Sequence, residues 1–265
     1  MARLDIYRKQ IRILALNTID AVLESQTINR IYEAICINMQ FLFALSPVIN
    51  YLVRKLSNWI VPKNLAIAII MDGNRRYART AGISRKQGHI QGYTHLHSIL
   101  EYMNLIQCKA VGFFAFGKKN YNRSKEEVTD IMSILENAFK ELNEKKEYQK
   151  LCDRVMITGD IDSMPSNVIP HVTAINERSK KKKDCFIFMS YSSLDEYVNS
   201  ATDGNAIPFD IIIRPGGEKR MSDFLLCNAS KQAMLSFLAV KWPVLTPMHI
   251  LLVIIKYVIE LPLRV

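Results

Sequence analysis

Leu65-Ala66-Ile67-Ala68-Ile69-Ile70 runs directly into Met71-Asp72-Gly73-Asn74-Arg75-Arg76, and the junction between them decides the fold. Six apolar residues in a row suit a strand covered on both faces, which is the pattern of a parallel sheet. The polar turn that follows, with a glycine and two arginines, suits the carboxyl end of such a strand, where open α/β sheets bind ligands. Working outward, further short apolar runs are Ala110 to Phe116, Val155 to Thr158, Cys185 to Ser190 and Phe209 to Arg214. Helical stretches alternate with them at Gly88 to Ile106, Ser124 to Lys146, Ser166 to Ser179 and Ile250 to Glu260. Ser124 and Glu127 have the spacing of a capping box. This alternation predicts an α/β fold, a single domain with a mostly parallel central sheet flanked by helices.

Pro62 marks a boundary between a helical, apolar extension over 1–61 and the α/β domain over 62–265, which carries every candidate site residue. Within the extension, Ala34 to Val53 carries no charge and is bracketed by Glu33 and Arg54. Twenty such residues reach across a bilayer as a helix, but Asn38, Gln40, Ser46, Pro47 and Asn50 dilute the run. It spans a membrane, lies on one, or packs as a helix on the α/β domain or a partner. The N-terminus does not read as a cleaved signal peptide, because Asp5, Arg8, Lys9 and Arg12 interrupt it early. The five cysteines are scattered, with no C-x-x-C pair, which points to neither a disulfide framework nor a zinc site. A net charge of +10 favours anionic partners, whether nucleic acid, membrane surface or phosphate-bearing substrate. The Lys180 to Lys183 run reads as a solvated turn.

Two stretches have chemistry suited to phosphates. In the first, Gly73 permits a tight turn, a following helix would present free N–H groups, and Arg75 and Arg76 supply charge-assisted donors. Asp72 is out of place in an anion site unless a divalent cation is shared between its carboxylate and phosphate oxygens, as Mg2+ commonly is. The second stretch is Arg214-Pro215-Gly216-Gly217-Glu218-Lys219-Arg220-Met221-Ser222, with amides expected to be available at Gly216 and Gly217. Two anion sites at two strand ends fit a reaction between two phosphorylated substrates. Gly112 to Lys118 has the glycine and lysine spacing of a phosphate loop, but its Phe-Phe-Ala-Phe middle reads as strand, and Lys119 replaces the required Ser or Thr. His95 and His97, two apart on a helix, face different sides and make a poor metal pair.

Together these stretches resemble the cis-prenyltransferase family. The carriers are Ile70-Met71-Asp72-Gly73-Asn74-Arg75-Arg76-Tyr77-Ala78 with Arg85 and Gly88-His89, then Asn120-Tyr121-Asn122-Arg123-Ser124 with Glu127-Val128. Asp210 to Phe224, Leu225-Leu226 and Trp242-Pro243 complete the pattern from about Pro62 onward. The resemblance implies successive condensation of isopentenyl diphosphate onto an allylic diphosphate, with farnesyl diphosphate as the usual primer. It makes Asp72 the Mg2+ ligand and places Asp72, Asn74, His89 and Asn120 at the reacting centre. Gly73, Asn74, Arg76 and Arg85 would bind the allylic diphosphate, Arg123 would shape the reacting site with Asn120, and Arg214, Arg220 and Ser222 would hold the homoallylic diphosphate, with Arg75, Tyr77 and Gly217 as further substrate-binding residues. It further implies dolichol synthesis for protein glycosylation, at the endoplasmic reticulum membrane with the catalytic domain facing the cytosol.

The sequence departs from the family pattern in several places. Gly117 and Lys119 stand where Ser and Glu are usual, and Ala233 stands where bacterial members carry a second metal-binding Glu. The chain ends Leu261-Pro262-Leu263-Arg264-Val265, without the Arg-x-Gly tail of homodimeric members. By resemblance to the two-subunit branch, a Nogo-B-receptor-like accessory subunit is expected to supply it. The alternative is a non-catalytic accessory subunit or degenerate pseudoenzyme, against which the intact first motif argues.

Overall fold

The computed structural model describes residues 2–29, 55, 60–178, 184–195 and 209–263. Six strands form one sheet: β1 (Ala66–Ile70), β2 (Ala110–Phe114), β3 (Val155–Thr158), β4 (Cys185–Phe188), β5 (Ile211–Arg214) and β6 (Met234–Phe237). Their spatial order is β3-β4-β2-β1-β5-β6, and every neighbouring pair is parallel, so the sheet is wholly rather than mostly parallel. The four inner strands are buried at every position, as their unbroken apolar runs require. The edge strands β3 and β6 alternate between buried and half-buried residues. β6 escapes detection in the sequence for this reason: four residues, one of them Ser236, carry too little pattern.

The helices are α1 (Ala2–Glu24), α2 (Asn74–Ala81), α3 (Arg85–Leu105), α4 (Lys125–Glu144), α5 (Gln149–Cys152), α6 (Ile169–Arg178), α7 (Leu226–Lys231) and α8 (Pro247–Glu260). Alternate residues of β1 serve opposite faces. Ile67 and Ile69 join the larger core with residues of α3, α4 and α8, while Ala66, Ala68 and Ile70 join a smaller one with Phe224 and Leu225. Each isoleucine fully buried in this way contributes roughly 1.5–3 kcal/mol. The connection leaving β1 therefore covers one face, and the residues following β5 cover the other. β1 and β5 are adjacent, so a crevice opens between the chains leaving their carboxyl ends, which is the switch point of the sheet. The Gly112–Phe114 stretch lies in β2, so the apparent phosphate loop is indeed strand.

Helix α1 packs along α8, and its Leu23 is 1% exposed within the larger core. Among the described residues no helix is long and apolar enough to cross a membrane. The uncharged stretch 34–53 and the Lys180–Lys183 run lie outside the described residues.

Candidate active site

The crevice holds an open cavity of about 740 Å³ at the carboxyl ends of β1 and β5. Asp72, Gly73, Asn74, Arg75, Arg76, Arg85, His89, Asn120, Arg123, Arg214, Arg220 and Ser222 all line it, together with Glu218 and Arg79. The first turn is set by Trp242, whose backbone N–H donates to the Asp72 carbonyl (3.0 Å) and whose indole N–H donates to the Gly92 carbonyl (2.8 Å). That indole bond ties α3 to the turn. A methyl group on Gly92 would stand 2.3 Å from Asn74 Oδ1, so only glycine lets α3 approach α2 closely enough.

Two ion pairs join the first turn to the second. Arg214 Nη2 donates to Asp72 Oδ2 at 2.7 Å, and Arg76 Nη1 donates to Glu218 Oε1 at 3.0 Å. Arg76 Nη2 also lies 3.2 Å from Asp72 Oδ1. Arg214, 3% exposed, uses its other amino group on Ser222 Oγ (2.7 Å) and the Arg220 carbonyl, and Arg220 pairs with Glu218. Burial pushes the Asp72 carboxyl upward, but the hydrogen bond and charge of Arg214, with help from Arg76 and the Gly73 amide, outweigh it. Asp72 is therefore held below the ordinary carboxylate range and stays ionised.

On the opposite wall, Glu127 gathers the remaining cations. Its carboxylate, in a residue only 4% exposed, lies 3.1 Å from Arg123, 3.5 Å from Arg85 and 3.6 Å from Arg75. His89 Nε2 is 3.7 Å away, beyond hydrogen-bond reach. Desolvation, then the Arg123 charge, holds the His89 pKa below its usual value against the pull of Glu127, so the ring is neutral near pH 7. The sequence marks Glu127 as a cap and as part of the central motif, with no role for its carboxylate. Ser124 Oγ does accept from its amide (3.3 Å), but the carboxylate goes to the cations instead of completing the box. The missed signal was its position one helical turn after Arg123.

Three buried polar atoms on residues that line this cavity, Asn74 Oδ1, His89 Nε2 and Arg214 Nε, have no hydrogen-bond partner among the described residues. Such atoms are costly unless a ligand or water meets them. Asn120 is fixed by accepting from the Gly117 amide (2.9 Å). A methyl group on Gly117 would lie 2.6 Å from Phe114 Cζ, which gives a packing reason for glycine where the family has serine.

Three expectations need correction. The Gly216 and Gly217 amides are not available, because they donate to the carbonyls of Val240 (2.6 Å) and Leu238 (2.7 Å). Gly217 does not line the cavity and shapes the turn instead. Tyr77 is buried in the core and does not line it either. His95 and His97 do face different ways, the first edge-on to Trp242 and the second stacked on Tyr148.

Met71, Asn74, His89, Ala115 and Ile131 also line a second cavity, so the two are continuous. This second space, about 110 Å³, runs between α3, α4 and the sheet and is walled mainly by apolar side chains such as Leu96, Leu100, Leu135 and Phe139. A cationic crevice thus opens into an apolar slot.

A family model described as "Putative undecaprenyl diphosphate synthase" matches residues 70–207 and 201–260. The chain belongs to the cis-prenyltransferase family. It is thereby an enzyme of the transferase class, and its relatives are polyprenyl diphosphate synthases. A dehydrodolichyl diphosphate synthase of Encephalitozoon cuniculi is 30% identical over 200 residues, covering 75% of this chain and 72% of that one. The human dehydrodolichyl diphosphate synthase complex subunit is 32% identical over 214 residues, covering 69% of this chain and 63% of the human one. Among solved structures, lavandulyl diphosphate synthase from Lavandula x intermedia, in complex with dimethylallyl diphosphate, superposes with a TM-score of 0.60 at 20% identity. That match covers 73% of this chain and 94% of the other, and it supports the fold.

Proposed function

We propose that this cis-prenyltransferase condenses isopentenyl diphosphate onto an allylic diphosphate, with farnesyl diphosphate as primer, to give a long-chain dehydrodolichyl-type diphosphate. The observation that carries this reading is the junction of a two-walled cationic crevice with an apolar slot, at Asn74 and His89. One amphipathic substrate fits across that junction, with its diphosphate among Arg75, Arg76, Arg85 and Arg123 and its hydrocarbon in the slot. Arg214, Arg220 and Ser222 would take the second diphosphate. The names of the Encephalitozoon and human relatives support the product class.

The site fits a Mg2+ ion brought in with substrate better than a resident one. Asp72 offers an ionised carboxylate to the cavity, yet among the described residues no cluster of three or more His, Cys, Asp or Glu side chains is placed to cage a metal. Mg2+ held by Asp72 and the diphosphate would neutralise charge on the departing pyrophosphate. Arg76 and the α2 N-terminus would bind that leaving group as its C–O bond breaks and it takes the electron pair. The double bond of isopentenyl diphosphate forms the new carbon–carbon bond, and loss of a proton to the departing pyrophosphate restores a double bond in cis geometry. Asn74 and His89 border the reacting carbons, where a neutral imidazole tolerates a carbocationic centre better than an imidazolium.

The human relative is named as a complex subunit, which supports a heteromeric assembly with an accessory protein. The decisive experiment measures incorporation of radiolabelled isopentenyl diphosphate into farnesyl diphosphate with Mg2+, for the chain alone and co-expressed with a candidate partner. Long-chain product that disappears in Asp72→Ala is expected. Product retained in Asp72→Ala overturns the role of that carboxylate, and robust product from the lone chain overturns the need for a partner.

A further inference from the structure

The end of α1 and the helical residues 26–29 after it are not a loose leader to the catalytic unit. Leu23 accepts a backbone hydrogen bond from Ala239 (3.0 Å). The carbonyls on either side of Ala239, those of Leu238 and Val240, are the ones that receive the Gly217 and Gly216 amides. Residues 238–240 are thus held by α1 while they hold the second turn. A side-chain contact repeats the link, since Lys219 Nζ of that turn donates to Glu24 Oε2 at 2.7 Å.

Asn29 anchors the far end. It is 3% exposed, its amide donates to the Ser25 carbonyl (2.7 Å), and its Oδ1 lies 3.2 Å from His249 Nε2. His249 Nδ1 accepts from the Thr246 amide at 3.3 Å, so Nε2 carries the proton and donates to Asn29. Asp20 completes the set by pairing with Lys256 of α8. The first turn has no such tie to α1 among these contacts, because Trp242 holds it to α3.

We infer that residues 20–29 are a positioning splint for the second turn, one that sets its grip on the homoallylic diphosphate without touching the substrate. The assignment rests on the function proposed above, in which Arg214, Arg220 and Ser222 hold that diphosphate. Gly216 and Gly217 adopt positive φ values of 101° and 76°, so the turn between them is kept in shape by the two amide bonds that the splint backs. Loosening the splint raises the KM for isopentenyl diphosphate and leaves kcat and the allylic KM in place.

The test compares Asn29→Ala, Glu24→Lys, and Glu24→Lys combined with Lys219→Glu, each in the full chain with its partner where one is required. Asn29→Ala is expected to raise the isopentenyl diphosphate KM about 5- to 10-fold, as loss of one buried hydrogen-bonded group predicts. Glu24→Lys, at an exposed pair, is expected to raise it about 2- to 3-fold, and the charge-swapped double variant to restore it. Amide hydrogen exchange at Gly216 and Gly217 is read in the same variants and should quicken in the two single ones. Unchanged kinetics, or equal changes in both KM values, with unchanged exchange in both single variants, overturns the splint. If the unaltered chain shows no turnover, the proposed function fails and exchange alone decides, faster exchange supporting the splint and unaltered exchange overturning it.

Discussion

The two turns at the ends of β1 and β5 have nearly the same ingredients, glycine and arginine in a handful of residues, yet they are built as different devices. After β1 the chain enters α2 at once, with Gly73 as the cap and no side chain closing the helix end. After β5 it wanders from Pro215 to Leu225 before α7, and its glycine amides are consumed by the backbone of residues 238–240. The first turn can meet an anion with helix-end N–H groups and flanking arginines, whereas the second has spent both glycine amides and presents the side chains of Arg214, Arg220 and Ser222. Composition alone does not reveal which device a Gly-Arg turn becomes, because the destination of each N–H is a tertiary matter.

Arg214 joins the two turns, so its substitution should have the largest effect. Arg214→Lys loses the forked contact that serves Asp72 and Ser222 together, and kcat/KM is expected to fall about 10²- to 10³-fold with a clear loss of thermal stability. A small effect in steady-state kinetics and melting would show that the turns act independently. Glu127→Gln comes next. It leaves three arginines of the first site without their shared carboxylate and should raise the allylic KM roughly 30-fold, while the homoallylic KM moves much less. Equal shifts in both would break the division of labour between the turns. Arg220→Gln probes the other side: its exposed guanidinium should be worth roughly 10-fold in the homoallylic KM alone.

The last effect is on stability rather than kinetics, and it is a pH dependence. Two histidines support the turns from behind, the half-buried His95 against Trp242 at the first and the buried His249 against Asn29 at the second. Desolvation lowers each pKa to about 4. Both rings stay neutral in the folded chain, so below about pH 6.5 the unfolded chain takes up their protons first. Their contribution is therefore full above that pH and declines toward pH 4, by on the order of 2–3 kcal/mol per ring at most. Melting temperatures followed from pH 7.5 to 4.5 should drop, and His249→Asn should flatten the slope. An unchanged slope in that variant would place the sensitivity elsewhere.

Much of the fold was legible because the inner strands are buried on both faces and so carry unbroken apolar runs, as β1, β2 and β5 do. The edge strand β6 was not, since a half-exposed four-residue strand has no distinctive pattern. Most of the residues that line the crevice were legible too: polar residues directly after a buried strand have few structural uses. Tyr77 and Gly217 were misplaced, because being next to a site in sequence does not fix which way a helix face or an amide points. Glu127 was read for its backbone and not for its carboxylate.

The sequence by itself determined the sheet class and the two strand-end turns that carry Asp72, Asn74, Arg76 and Arg214, since these depend on local patterns of burial and charge. Only the tertiary structure decided that Glu127 would face three arginines, that Asp72 and Arg214 would pair across 142 residues, and that Leu23 would back the second turn. Those contacts join segments far apart in the chain. Their formation is governed by how α1, α3 and α8 pack on the sheet, and packing geometry leaves no periodic trace in the residues that it brings together.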